Sequence, residues 1–111
     1  MEKRLKAWGE EVIIVNTKYY AGKILYIKKD GCSSIHYHNT KDETFYLTQG
    51  TALLVVGKNA YWIEPGSKPV RVCPGEHHMF VGITDCSIIE FSTEDKEDDT
   101  IRFTKSKSPS F

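Results

Sequence analysis

The chain has 111 residues, with fifteen basic and fifteen acidic side chains that leave no net charge. Because no excess charge attracts a polyanion, neither nucleic acid nor an anionic membrane surface is expected as a partner. Three cysteines without C-x-x-C spacing, no apolar leader and no run of ~20 apolar residues predict a cytoplasmic protein with reduced thiols.

From the first residues onward, the sequence predicts a succession of short strands and no helical period. Residues 3–11 are mostly polar, and Trp8 is expected to pack on the outside of the fold. The predicted strands cover residues 11–16, 19–28, 44–47, 51–56, 61–64, 70–73, 78–81 and 86–91, followed by an edge strand at 100–103. Short strands at this spacing, separated by Gly and Pro, indicate an all-β sandwich or barrel.

The stretch from Gly31 to Gly50 carries the first candidate ligands. His36 and His38 are two residues apart, so in a strand they point to the same face. Glu43 follows a polar run at residues 39–42, where a turn would bring the carboxylate back beside the imidazoles. Two imidazoles and one carboxylate are a facial ligand set for a divalent transition metal.

A fourth candidate ligand, His78, follows Pro74 and Gly75 much later in the chain. Its neighbour His77 should point the opposite way, because adjacent strand residues alternate between faces. His77 is therefore expected at the surface or behind the ligands. Strand parity also places Cys32 and Ser34 on the face of His36 and His38, either lining a cavity or filling the interior.

Together these spacings resemble the two motifs of the cupin family. The first reads Gly31, four residues, His36-x-His38, four residues, Glu43, six residues and Gly50; the second is Gly75 to His78. The first gap is one residue short, and Gly82 stands where the family often has Asn. The resemblance implies an all-β, single-domain cupin-type β-barrel, or jelly roll, over residues 1–111, with a core at about 12–92 and a charged segment at 93–111.

Shorter motifs are similar to small cupins that resemble mannose-6-phosphate isomerase and related sugar isomerases. They include residues 8–10, Gly22-Lys23, the segment 34–44, and the two segments 89–93 and 98–102. This likeness implies a metal-dependent interconversion of aldose and ketose forms of a sugar or sugar phosphate. His36, His38, Glu43 and His78 would hold one divalent ion, with Zn, Mn, Fe and Ni all left open.

Lys23, Ser34 and Lys41 are the candidate contacts to a small carbohydrate substrate. Lys23 is either an edge lysine with its ammonium in solvent or a cavity lysine, whereas Lys41 lies in a turn where solvent exposure is the ordinary outcome. The catalytic base stays unassigned, because no second carboxylate lies at a clear interior position.

Two other functions remain open from the sequence: an Fe(II) dioxygenase of the same fold, and a sugar-binding barrel without catalysis. A homodimer is also expected, because the apolar strand at residues 11–15 would be costly as a free edge.

Overall fold

The computed structural model describes residues 1–109, which form two antiparallel sheets around one core. The strands are β1 Glu2–Lys6, β2 Gly9–Asn16, β3 Ala21–Ile27, β4 His36–His38, β5 Glu43–Gln49, β6 Ala52–Val56, β7 Asn59–Ile63, β8 Val70–Val72, β9 His78–Gly82, β10 Cys86–Ser92 and β11 Thr100–Arg102, with a 3-10 turn at Glu97–Asp99. The larger sheet has the order β1-β2-β3-β10-β5-β8, and the smaller has the order β11-β4-β9-β6-β7. Over residues 1–109, no helix is long and apolar enough to cross a lipid bilayer.

The predicted strands are confirmed, but the N-terminal segment differs from the prediction. Residues 2–6 form β1, which pairs with β2, so the strand at residues 11–15 is not a free edge. Trp8 is only 5% exposed and packs edge-to-face against Phe80, with ring centroids 5.0 Å apart. The prediction that Trp8 lies outside was wrong, because the β1–β2 hairpin turns its indole into the core.

Alternation along the strands separates an inner from an outer face. On β10, Cys86, Ile88 and Glu90 are buried, whereas Phe91 is 54% exposed. Ile89 and Phe91 alternate with these residues and share the outer face of the sheet. The acidic side chain of Glu90 therefore points inward from β10. It lies directly opposite Lys23 of β3, the neighbouring strand in the middle of the larger sheet.

The interior is divided along the strands into an apolar and a charged part. The apolar core comprises Trp8, Leu25, Ile27, Phe45, Leu47, Ala52, Leu54, Val56, Ile63, Val70, Val72, Phe80, Cys86 and Ile88. The buried charged or ligand-type side chains include Glu11, Lys23, His36, His38, Lys41, Glu43, His78 and Glu90. On several strands, a buried charged or ligand-type residue and a residue of the apolar core are two positions apart and therefore point to the same side. The apolar and charged parts are thus adjacent layers of one interior.

Two glycines in turns differ in how much space surrounds them. Gly50 and Gly57 both have positive φ, at 78° and 58°, so an alanine at either position is strained. A Cβ at Gly50 would also overlap the carbonyl oxygen of Asp85, whereas a Cβ at Gly57 meets nothing within 4 Å.

We expect Gly57→Ala to lower the free energy of unfolding by about 1–2 kcal/mol, the cost of the left-handed conformation. Gly50→Ala should lower it by about 3 kcal/mol or more, because backbone overlap is added to the same strain. Urea unfolding of the two variants measures the difference, and equal losses would show that the turn at Gly50 relaxes freely.

Candidate metal centre

Three histidines and one glutamate converge in the interior from both sheets. His36 and His38 extend from β4, and His78 lies directly opposite His36 on the neighbouring strand β9. Glu43 begins β5 in the larger sheet, so the chain between β4 and β5 crosses from one sheet to the other. The carboxylate thus reaches the imidazoles from the opposite sheet, across the interior. A simple turn would instead have placed Glu43 on a strand next to β4.

The ligand-type atoms of this cluster lie close together. One nitrogen from each of His36, His38 and His78 lies within 4.8 Å of the others. Glu43 Oε2 is 2.9 Å from His78 Nε2 and 3.2 Å from His38 Nε2. All four side chains are buried, with Glu43 and His78 each only 2% exposed.

Hydrogen bonds on the far side of each ring fix which nitrogen faces the cluster. The Nδ1 atom of His36 donates to the carbonyl oxygen of Ser34 at 2.7 Å, and that of His78 donates to the carbonyl oxygen of Glu76 at 2.9 Å. His38 Nδ1 is 3.1 Å from the hydroxyl of Thr100 on β11. A neutral imidazole whose Nδ1 carries the proton has its lone pair on Nε2, which is the state that binds metals.

The facing atoms fit a bound cation. Among residues 1–109, neither Glu43 Oε2 nor His78 Nε2 has a hydrogen-bond partner, although they approach to 2.9 Å. Two lone pairs at this separation repel unless a proton or a metal ion lies between them. The chemistry of this donor set, three imidazoles and a carboxylate, suits a divalent transition metal.

The pKa values of the cluster reflect the same charge pattern. Burial, together with the neighbouring His78, lowers the pKa of His36 to about 3, so this imidazole stays neutral. Burial also lowers the pKa of His78, but the attraction of Glu43 outweighs it and the net pKa is raised. Burial raises the pKa of Glu43, yet His38, His78 and Lys41 outweigh it, so the carboxyl is held ionised. The negative charge that stabilises a proton on His78 would equally stabilise a metal ion.

Beside the cluster lies a network of buried ion pairs. Lys41 Nζ is 2.7 Å from Glu90 Oε2, 2.9 Å from Asp95 Oδ1 and 3.5 Å from Glu43 Oε1. Burial lowers the pKa of Lys41, but these carboxylates outweigh it and raise the pKa well above its usual value. Lys41 was expected in a solvated turn, but it is only 3% exposed. The turn holds it inward, because the buried carboxylate of Asp99 accepts hydrogen bonds from the backbone N–H groups of residues 40 and 41.

The second lysine of the network, Lys23, extends inward from β3. Its ammonium is 3.1 Å from Glu11 Oε1 and 2.7 Å from Asp95 Oδ2, and the residue is 4% exposed. Of the two sequence-based alternatives for Lys23, the cavity lysine is therefore the one observed. Ser34 is completely buried behind His36, with its hydroxyl 3.3 Å from His36 Nδ1.

Sequence reasoning missed the carboxylates of this network. Glu90 shares the inner face of β10 with Cys86 and Ile88, and burial raises the pKa of its carboxyl despite the nearby lysines. The available signal was the parity of Glu90 with Ile88 within an apolar strand. Asp95 lies in a run of charge that gave no such signal.

The three histidines of the cluster and the network line one cavity of about 310 Å³. The residues that line it are Arg4, Lys6, Trp8, Glu11, Lys23, Leu25, Ser33, His36, His38, Lys41, Phe45, His78, Phe80, Glu90, Asp95, Lys96, Glu97, Thr100, Arg102 and Ser106. His77, as predicted, is exposed on the other side of the sheet, where it stacks on Tyr37 with ring centroids 5.0 Å apart.

Solved structures share this architecture, although no family model and no curated protein matches the sequence. KdgF from Halomonas sp. has a TM-score of 0.79 and 15% identity, covering 88% of this chain and 90% of KdgF. Pac13 from Streptomyces, solved with uridine, has a TM-score of 0.81 and 13% identity over 96% of this chain and 86% of Pac13. CapF from Staphylococcus aureus, a capsular polysaccharide assembling protein, has a TM-score of 0.80 and 18% identity.

The match to CapF covers 92% of this chain but only 34% of CapF, so the chain spans about a third of that protein. At these identities the likeness concerns the fold. It confirms the predicted class, an all-β cupin-type jelly roll, while the narrower likeness to mannose-6-phosphate isomerase stays a prediction.

If the cluster binds a metal, His78→Ala should remove it from the purified protein, because one of four ligands and the partner of Glu43 are lost. His77→Ala is the matched control: the neighbouring imidazole points outward, so this variant should keep the metal. Elemental analysis of both proteins, purified in parallel, measures the difference. Full metal content in His78→Ala would contradict the ligand assignment.

Proposed function

We propose that this protein is a metal-dependent enzyme that interconverts aldose and ketose forms of a small carbohydrate-like substrate. The observation that carries the proposal is the arrangement of one cavity. Three ligand-type imidazoles, with Glu43 behind them, meet at one part of its wall, and the buried carboxylate of Glu90 lies elsewhere on the same wall. Such a reaction needs both a site that polarises oxygen atoms and a group that moves a proton between adjacent carbons.

In this proposal His36, His38, Glu43 and His78 hold one divalent transition-metal ion. The ion would supply Lewis-acid chemistry to the carbonyl and hydroxyl oxygens of the substrate. The chain contributes the orientation of the ligands, since Ser34, Glu76 and Thr100 hold the Nδ1 side of the three imidazoles. Ligands fixed in this way keep their lone pairs directed at one point.

Glu90 is the candidate general base. Its carboxylate would accept the proton from the carbon next to the carbonyl, while the electron pair of that C–H bond moves toward the carbonyl. The same carboxyl would then return the proton to the former carbonyl carbon, while the hydroxyl proton of the adjacent carbon moves to the former carbonyl oxygen, so that a new carbonyl forms on that adjacent carbon. Lys41 Nζ, at 2.7 Å, holds the carboxylate in place. In this proposal, Lys23 and Lys41 act mainly by holding the buried carboxylates in place, and Ser34 acts by holding His36. Direct contact with the substrate is secondary for these three residues.

The cavity also bears on the class of substrate. Its volume of about 310 Å³ is at the small end of ligand pockets, which suits a compact molecule. Trp8, Leu25, Phe45 and Phe80 form an apolar part of the wall, and polar and charged side chains form the rest. Two of the similar folds come from a capsular polysaccharide assembling protein and a nucleoside dehydratase, and this supports a substrate that contains a sugar.

We expect Glu90→Gln to reduce turnover at least about 100-fold, because an amide cannot accept the proton. The metal content should not change, since Glu90 is not among the proposed ligands. The exposed Glu64→Gln is the control and should keep full activity. The assay follows aldose–ketose conversion of sugars and sugar phosphates under argon with Mn(II) or Zn(II).

Two results would contradict the proposal. Undiminished turnover in Glu90→Gln would remove Glu90 as the base. Oxygen uptake that requires Fe(II), measured separately in air, would instead identify the dioxygenase alternative.

We also propose that the protein is a homodimer, formed through the outer face of the larger sheet. Register places Ile24, Ile89 and Tyr46 side by side across β3, β10 and β5. Tyr26 and Phe91 extend this row and are 42% and 54% exposed. A contiguous apolar patch of this kind is typical of a protein–protein contact.

Light scattering at micromolar concentration should give twice the chain mass. Phe91→Lys should give the monomer mass, because a charge in the centre of an apolar contact is costly to desolvate. Trp62→Lys is the matched control, since Trp62 is similarly exposed, at 59%, on β7 of the other sheet. A monomer mass for the unmodified chain would contradict the dimer.

A further inference from the structure

Basic side chains form part of the lining of the cavity. Arg4, Lys6, Lys96 and Arg102 line it, in addition to the two lysines of the buried network. Lys23 and Lys41 are balanced by Glu11, Asp95 and Glu90, which also line the cavity. Apart from the histidines, the ionisable lining residues outside the network are thus four cations and one carboxylate, that of Glu97.

Arg102 differs from the other three cations because it is tied to the histidine cluster. It lies directly opposite His36 in the pairing of β11 with β4, so the two side chains share the inner face of the sheet. Its Nη1 atom donates to the hydroxyl of Ser34 at 3.0 Å, and Ser34 is completely buried. That hydroxyl is in turn 3.3 Å from His36 Nδ1.

The remaining donors of this guanidinium are available to a ligand. A guanidinium has five N–H groups, and within residues 1–109 the contact to Ser34 is the only hydrogen bond that the guanidinium of Arg102 makes. Over the same residues, no carboxylate lies within 4.0 Å of it, whereas Arg4 is paired with Glu2 and Glu11. Among residues 1–109, Arg102 is therefore an anchored cation without a counter-ion, at the edge of the candidate metal centre.

We propose that Arg102 recognises an oxyanion on the substrate, so that the enzyme acts on anionic rather than neutral sugars. This inference rests on the proposed function of the histidine cluster and specifies its substrate class. A guanidinium binds a carboxylate or a phosphate through two parallel hydrogen bonds, which fixes orientation as well as affinity. One substrate can then place hydroxyl or carbonyl oxygens toward the histidines and its anionic group toward Arg102.

The experiment compares glucose, glucuronate and glucose 6-phosphate, which share a ring and differ at one carbon. Binding of each to the protein is measured by calorimetry, with and without added Zn(II). At least one of the two anions should bind about tenfold or more tightly than glucose. Preference for glucuronate indicates a carboxylate substrate, and preference for glucose 6-phosphate indicates a phosphate ester; either supports the proposal.

Variants locate the effect. Arg102→Gln should remove the preference for the anion, and Arg102→Lys should retain part of it, since the charge remains but the paired donors are lost. Arg4→Gln, at a cation of the same cavity that already has carboxylate partners, should leave the preference nearly unchanged. A preference that survives in Arg102→Gln, or that falls equally in Arg4→Gln, would overturn the assignment.

Equal binding of glucose and both anions, or no binding of either anion, would also overturn it. Elemental analysis of the same samples separates this outcome from failure of the proposed function. A protein that binds the metal without preferring an anion loses only the inference about Arg102. A protein that prefers the anion but takes up no metal retains the anion site and loses the metal-dependent function.

Discussion

Charged side chains can occupy the interior of a small β protein only where each one faces a group that compensates it. Here that condition holds around Glu43, which faces two imidazoles and the ammonium of Lys41. The same ammonium reaches Glu90 and Asp95, and Asp95 reaches Lys23. The charges therefore form one connected group, in which Lys41 is the central member: within residues 1–109 it is the only ion-pair partner of Glu90, so its removal would leave that carboxylate buried without a partner.

The apolar layer makes this charged layer possible. On β5, Glu43 is followed two and four positions later by Phe45 and Leu47, which are 3% exposed. On β9, His78 is followed in the same way by Phe80. Burial of the apolar residues supplies most of the stability of such a domain, and it also holds the strands that position the ligands. The candidate ligands and the apolar core residues thus occupy neighbouring positions on the same inner faces.

The sequence predicted the fold and the ligand-type residues because both follow from short-range patterns. Period-two alternation and turn residues located nearly all strands, and the parity of His36 and His38 placed both imidazoles on one face. The buried positions of Lys41 and Glu90 could not be predicted in this way. A sequence does not distinguish a buried charged residue from an exposed one unless its partner is known. Here the partners Lys41 and Glu90 are 49 residues apart in the sequence. Trp8 was misplaced for a related reason, since its partner Phe80 lies on a distant strand.

The pairing of β11 with β4 has a consequence for how the site is assembled during synthesis. The imidazoles and Glu43 all lie within residues 36–78, but the hydroxyl that faces His38 and the guanidinium held by Ser34 belong to residues 100 and 102. Thr104 and Ser106 then accept hydrogen bonds from the backbone N–H groups of residues 35 and 34. Since translation proceeds from the N-terminus, the four candidate ligands leave the ribosome before Thr100 and Arg102. In the nascent chain, therefore, His36 and His78 can already find their backbone partners, whereas His38 gains the hydroxyl that faces its Nδ1 atom only after β11 has docked.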